Sequence, residues 1–195
     1  MSEGRRRAGR PAVLTVERIV AAAVRVLDAE GLEALTMRRL GAELGVAAMS
    51  LYRHVPSREA LLAEVVNRLF AEAATDPGEA AWPEALTGFA RSYRRVLLAH
   101  PNAVPLLAVH PVDVELGTAL LAGLLGAFAR AGVAGEEATT AVQSVAVYVL
   151  GHALAQVGAP PGGTPGPTGE SAFYDGWFEA GLAAMVTGFA RHLDA

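Results

Sequence analysis

Apolar residues along this chain return at intervals of three and four, the spacing that gathers side chains on one face of an α-helix. The first run is Ile19, Ala22, Ala23, Val26 and Leu27, with Thr15 as a capping hydroxyl, Glu17 in the first turn and Gly31 as the stop. A second run opens at Thr36 and closes at Gly45, and a third covers 47–54. A fourth starts behind Ser57 and continues to about Thr75 on Leu61, Leu62, Val65, Val66, Leu69 and Phe70. After a break at Asp76, Pro77 and Gly78, helical patterns recur over 82–99, 103–109, 113–131, 136–157 and 173–193. No stretch alternates strongly with period two on β-branched residues, so the expected fold is all-α.

Residues 32–62 set two short helices either side of a tight break at Gly45 and Val46, then stop and restart at Pro56 and Ser57. A short helix, a tight turn and a second short helix form the unit that fits a DNA major groove. The segment 158–169 holds four Pro and five Gly, a mobile loop rather than a domain linker, since one helix alone follows it.

Charge sharpens this picture. The 195 residues carry a net charge of −4, and all 16 basic residues are arginine. Residues 1–68 have 11 Arg against 8 acids, whereas residues 69–195 have 5 Arg against 12 acids. A basic head on an acidic body confines attraction for phosphate to one end. Arg5, Arg6, Arg7 and Arg10 make residues 1–14 a flexible basic arm suited to the minor groove or the DNA backbone. No apolar run follows these arginines, so they do not read as a secretory signal, and a cytoplasmic location is expected. The absence of cysteine excludes disulfides, thiol catalysis and thiolate-bound zinc.

Residues 138–169 contain no Asp, Glu, Lys or Arg, and 138–157 is long enough to span a bilayer. Thr139, Thr140, Gln143, Ser144, Tyr148, His152 and Gln156 make it too polar for lipid. A helix mostly apolar all round is buried on both sides, here by the domain core and by a partner subunit. The last helix offers Phe178, Leu182, Met185 and Phe189 as a stripe, with Gly181, Ala184 and Gly188 beside it for close approach. Together these helices suit a four-helix homodimer interface.

The residues of the head resemble the N-terminal domain of the TetR family of one-component transcriptional regulators. The resemblance rests on Thr36, the turn Leu44-Gly45-Val46, the core Ser50-Leu51-Tyr52-Arg53-His54-Val55, and Arg58-Glu59-Ala60-Leu61-Leu62. Beyond the head, Trp82-Pro83-Glu84-Ala85-Leu86, Tyr93-Arg94-Arg95-Val96-Leu97-Leu98 and the Pro-punctuated stretch 100–111 are similar to the tetracycline-repressor branch. The resemblance implies a helix-turn-helix DNA-binding domain over 15–70 and a ligand-sensing, dimerising helical bundle over 71–195. It implies a ligand-responsive regulator, most simply a repressor, that leaves a palindromic double-stranded operator when a small-molecule effector binds. Leu106 and Leu107 stand where the branch's magnesium-binding histidine is expected, and His100, His110 and His152 are too scattered for a metal motif. No metal, cofactor or membrane partner is therefore expected.

Candidate DNA-binding residues are Thr36, Arg38, Arg39, Ala48, Met49, Ser50, Tyr52, Arg53, His54 and Arg58. Arg38 and Arg39 oppose the dipole of their own helix, but the same helix end attracts phosphate; Arg39 can alternatively pair with Glu43 four residues on. The resemblance sets Arg38 near a base edge, Thr36 near phosphate, Tyr52 and His54 on the DNA backbone, and Arg58 where a lysine is usual. Ala48 and Met49 suit thymine methyl groups, and Ser50 a phosphate or base. Ala47 replaces the usual Ser or Thr and forgoes a cap worth about 1 kcal/mol.

Candidate effector-binding residues are polar or aromatic groups set in apolar helices: Tyr93, Asn102, Gln143, Tyr148, His152 and Trp177, with Gln156 beside them. Tyr148, His152 and Gln156 share one helix face, which serves either a pocket or the dimer seam. The body's Leu, Val and Ala content favours a mainly apolar effector that enters near 158–169. The rival readings are an architectural DNA-binding protein, and a helical small-molecule-binding protein or enzyme that keeps the head as a relic. No nucleophile, base and orienting group come together to support catalysis, so no enzyme activity is expected.

Overall fold

The computed structural model describes residues 13–158 and 171–193, all of its regular structure helical. The expected basic arm and Pro/Gly loop lie almost wholly outside the described residues. The head holds α1 (Val16–Glu30), α2 (Met37–Leu44) and α3 (Ala48–Leu51). A long α4 (Arg58–Ala73) leads into the body. The body holds α5 (Trp82–Ala99), a short 3-10 turn (Pro101–Ala103), α6 (Val104–Val109), α7 (Val114–Leu120), α8 (Ala122–Arg130), α9 (Gly135–Val157) and α10 (Ser171–Leu193).

The head is assembled by local chemistry that the sequence carries openly. Thr15, Thr36 and Ser57 each turn a side-chain oxygen onto the backbone N–H three residues on, from Arg18 (3.3 Å), Arg39 (3.1 Å) and Ala60 (3.0 Å). Gly45 closes α2 in the left-handed region at φ 68°, which a side chain rarely adopts. Gly41 has a different reason: a Cβ there would stand 2.8 Å from the Val46 carbonyl oxygen, so its hydrogen lets the turn fold down onto α2. Leu35, Leu40, Leu51, Val55, Leu61 and Val65 close over Ile19, Ala23 and Leu27 in a core from which water is excluded.

Helix α3 is shorter than the 47–54 expected. Regular helix stops at Leu51, and residues 52–54 form a tighter turn in which His54 N donates to the Leu51 carbonyl. Ala47 supplies no side-chain cap at one end, and Pro56 disfavours helix for the residue before it at the other. The expected helix over 113–131 is likewise two. The backbone leaves helical geometry at Leu121 (φ −95°, ψ 5°), amid the weak helix formers Gly117, Gly123 and Gly126. Gly123 lies where a Cβ would meet Pro77 Cδ at 2.9 Å, so the bend brings α8 against the 74–81 connection.

In the body, α5 is the central rod, packed on α4, α8, α9 and α10. Its buried Trp82 stacks on Phe128, and Phe89 and Tyr93 meet Phe70 of α4 edge-on. Helix α9 is long and apolar enough to cross a membrane, but part of it is buried within the chain. Ala141, Val145, Val149 and Ala153 bury on its inner side. The outer side leaves Val147, Gly151 and Ala155 exposed at four-residue intervals. Gly181 proves to face inward rather than toward a seam: a Cβ there would lie on the Tyr148 hydroxyl of α9.

Candidate DNA-binding face and effector cavity

The helix-turn-helix displays its polar residues in two groups. Arg38, Tyr52, Arg53 and His54 are exposed, and Met49, on the second helix of the motif, is 74% exposed. Arg38 makes no ion pair among the described residues, and Ala48 and Ser50 sit half-buried beside Met49. Leu51 and Val55, by contrast, anchor the short helix to the core. The Thr36 oxygen that caps α2 retains its hydroxyl proton for an outside acceptor.

The second group works inside the head. Arg39 bridges two helices, with Nε 3.0 Å from a Glu30 oxygen and Nη1 3.1 Å from Glu43. Its hydrogen bond holds the Glu30 carboxyl below the usual carboxylate range. Arg58 donates from Nε to the Leu35 carbonyl at 2.9 Å and from Nη2 to the Leu32 carbonyl at 3.2 Å. These two arginines therefore set the positions of α1, α2 and α4 relative to each other.

The candidate effector residues fall in three places. Gln143 lines a cavity of about 260 Å³ between α4, α5, α7, α8 and α9. Phe70, Phe89, Val112, Leu121, Leu125 and Val142 supply its apolar wall, and Asp113, Thr118, Thr139 and Gln143 its polar groups. Tyr93 lies behind this wall, its ring 5.7 Å from Phe70 and 5.9 Å from Phe89, and burial pushes its phenol up to about 12. Asn102 instead ties the body to the head, donating from Nδ2 to the Leu27 and Asp28 carbonyls at 3.1 and 3.0 Å. His100 Nδ1 lies 2.9 Å from Asp28 beside it.

Tyr148, His152 and Trp177 form the third place, an aromatic cluster between α9 and α10. The Tyr148 hydroxyl donates to the Phe178 carbonyl at 2.9 Å, and Gln156 accepts from Arg94 at 2.8 Å. Arg94 also pairs with Asp175 and lies 4.8 Å over the Phe178 ring. The shared face of Tyr148, His152 and Gln156 thus packs within the subunit. His152 is 3% exposed, ringed by Tyr148, Tyr174, Trp177 and Phe178, and its ring nitrogens lack partners of hydrogen-bonding geometry. Burial first and the Arg94 charge second hold its pKa below the ordinary histidine value, against the opposing pull of the Tyr174 main chain and Asp175.

Sequence reasoning missed most of the cavity. Phe70 and Phe89 carry the same signal as any core residue, and Asp113 reads as the cap it also is, accepting from Leu116 N at 2.9 Å. Leu121, where the backbone bends between α7 and α8, is itself one of the lining residues. One wall communicates with the head: Asp113 N donates to Asn67 of α4 at 3.0 Å, and α4 continues down to Arg58.

Two family models match. The model described as bacterial regulatory proteins, tetR family, covers residues 19–65, and the tetracycline-repressor-like C-terminal domain covers 74–173. The HTH-type transcriptional repressor DrrR1 of Streptomyces coeruleorubidus is 36% identical over 149 residues, 74% of this chain and 54% of that protein. The chain thus spans about half the length of that relative. The class A tetracycline repressor from transposon 1721 of Escherichia coli is 30% identical over 194 residues, covering 89% of each chain. Among solved structures, a TetR variant of Acinetobacter baumannii AYE in complex with minocycline superposes with a TM-score of 0.80 at 25% identity. That match covers 94% of this chain and 100% of the other. The two models together take in most of the head and most of the body, and the chain belongs to the TetR family of DNA-binding transcriptional regulators.

Proposed function

We propose that the protein is a homodimeric repressor, acting in the cytoplasm, that leaves a palindromic operator when a small, mainly apolar effector fills the cavity beneath Asp113. The observation that carries this reading is the bond between Asp113 and Asn67. The segment that walls the cavity is held to the helix that positions the head, so an effector that moves one moves the other.

On DNA, Arg38 reads a base edge and Met49 and Ala48 meet thymine methyls. Thr36, Ser50, Tyr52, Arg53 and His54 hold the backbone. Arg39 and Arg58 act mainly by keeping the helices in register, with Arg58's remaining N–H groups available to phosphate. The dimer forms through the outer faces of α9 and α10, where Val147, Phe173 and Trp177 are 69%, 65% and 47% exposed. The buried aromatic cluster around His152 stiffens the pair of helices that carries this seam. The effector needs no metal, because the cavity's polar groups include no histidine and a single carboxylate.

The test is selection of binding sites from random duplex DNA, followed by titration of the recovered operator. A palindrome should emerge. Arg38→Ala should relax preference at one position per half-site by about 1–3 kcal/mol. Uniform weakening over all sequences would make Arg38 a backbone contact, and recovery of no preferred sequence would refute the repressor reading.

A further inference from the structure

We infer that the molecule recognised by the cavity is an organic cation, an apolar body bearing a protonated amine, with Asp113 as the counter-charge. This rests on the reading that the cavity is the effector site, and it names the chemistry of what fills it.

The reasoning is a count of unused hydrogen-bonding capacity. Thr118 has given its hydroxyl proton to the Val114 carbonyl at 2.8 Å, and Thr139 has given its own to the Gly135 carbonyl at 2.7 Å. A threonine hydroxyl has one proton, so each now offers only lone pairs. Asp113 accepts from Leu116 N on Oδ1, which leaves Oδ2 as a charged acceptor. Of the polar side chains that line the cavity among the described residues, only the Gln143 amide can donate. A ligand made of carbonyls or carboxylates would set acceptors against acceptors and leave them unsatisfied.

The charges agree. Among the described residues, no arginine or histidine lines the cavity. The arginines of the walling helices are engaged elsewhere. Arg68 of α4 bonds Glu72, and Arg130 of α8 bonds the Gly78 and Ala80 carbonyls. On α5, Arg91 pairs with Glu179, Arg94 with Asp175, and Arg95 bonds Ser92. Asp113 is the one charged side chain among the described residues that line the cavity. The wall carries two aromatic rings, Phe70 and Phe89, a side-chain type that favours cations, and its aliphatic side chains suit the rest of the ligand's body.

The experiment compares three probes that share a naphthylethyl body, the isosteric pair naphthylethylamine and naphthylethanol and the larger naphthylpropionate, by calorimetric titration of the full chain at neutral pH. The amine should bind at least about tenfold more tightly than the alcohol, with the carboxylate weakest. Asp113→Asn preserves the cap on Leu116 N and should leave the alcohol unchanged while bringing the amine to within about threefold of it. Ala146→Phe, which fills the cavity from α9, should abolish binding of every probe. Equal binding of amine and alcohol, both lost in Ala146→Phe, would overturn the cationic preference and leave the cavity as the effector site. Binding indifferent to Ala146→Phe, or no binding by any probe, would overturn both.

Discussion

The Arg58 side chain at the start of α4 donates from Nε to the carbonyl oxygen of Leu35, across the loop that precedes α2. With its second bond to Leu32, it fastens the helix that leaves the head to the loop that aims Thr36 and Arg38. A residue that looks from its position like a phosphate contact is thus first a structural tie.

Arg58→Ala should therefore destabilise the head as well as weaken operator binding. Losing hydrogen bonds from a charged donor to half-buried carbonyls costs about 1.5–3 kcal/mol. Arg53→Ala, on the exposed turn after α3, should change stability by less than about 0.5 kcal/mol while weakening DNA binding. Denaturant unfolding of the two variants checks this, and equal unfolding midpoints would remove the tie.

Gly181 and Tyr148 should behave as a coupled pair. A methyl group at 181 collides with the Tyr148 hydroxyl and lies 2.8 Å from its Cζ. Gly181→Ala should destabilise the body by about 1–3 kcal/mol. Tyr148→Phe removes the nearest atom, so the double variant should be more stable than the sum of the two single losses predicts. Strict additivity in thermal unfolding would show that the two residues do not meet.

The seam between subunits is better probed at Val147 than at Gly181, whose replacement would disturb the α9–α10 packing inside one subunit. Val147 is 69% exposed on the outer face of α9. Val147→Glu should preserve helix content and release monomers in sedimentation, with operator affinity falling because one half-site alone is too weak. A dimer of unchanged stability would place the seam elsewhere.

His152 should make the body sensitive to acid. Its folded pKa is lowered by burial and by Arg94 of α5, with Tyr148 and Tyr174 around it and Asp175 of α10 acting in the opposite sense. A histidine held neutral in the folded chain takes up its proton more readily when unfolded. Stability is therefore full above the ordinary value of about 6.5 and declines as pH falls through it toward the lowered folded value. His152→Phe should raise the unfolding temperature, because two unsatisfied ring nitrogens disappear, and should flatten the decline between about pH 7 and pH 5. A parallel decline in both proteins would assign the acid sensitivity to other groups.

The sequence by itself determined what depends on neighbours along the chain. Caps at Thr15, Thr36 and Ser57, the glycine at the left-handed Gly45 position, and apolar residues at helical spacing act within a turn or two, so the helices and the helix-turn-helix were legible. Exposure of Arg38 and Met49 followed from the same periodicity. The tertiary structure decided what depends on elements distant in sequence. The Arg39 bridge to Glu30, the Arg58 bonds to Leu32 and Leu35, and the Asn102 bonds to the end of α1 join segments whose spacing gives no periodic signal. The cavity belongs to the same class. Phe70, Asp113, Leu125 and Val142 come from separate segments of the chain, and each alone reads as core or cap. A space between helices is a property of how they cross, and the crossing is fixed by close approaches such as Gly123 on Pro77, which appear only when the chain has folded.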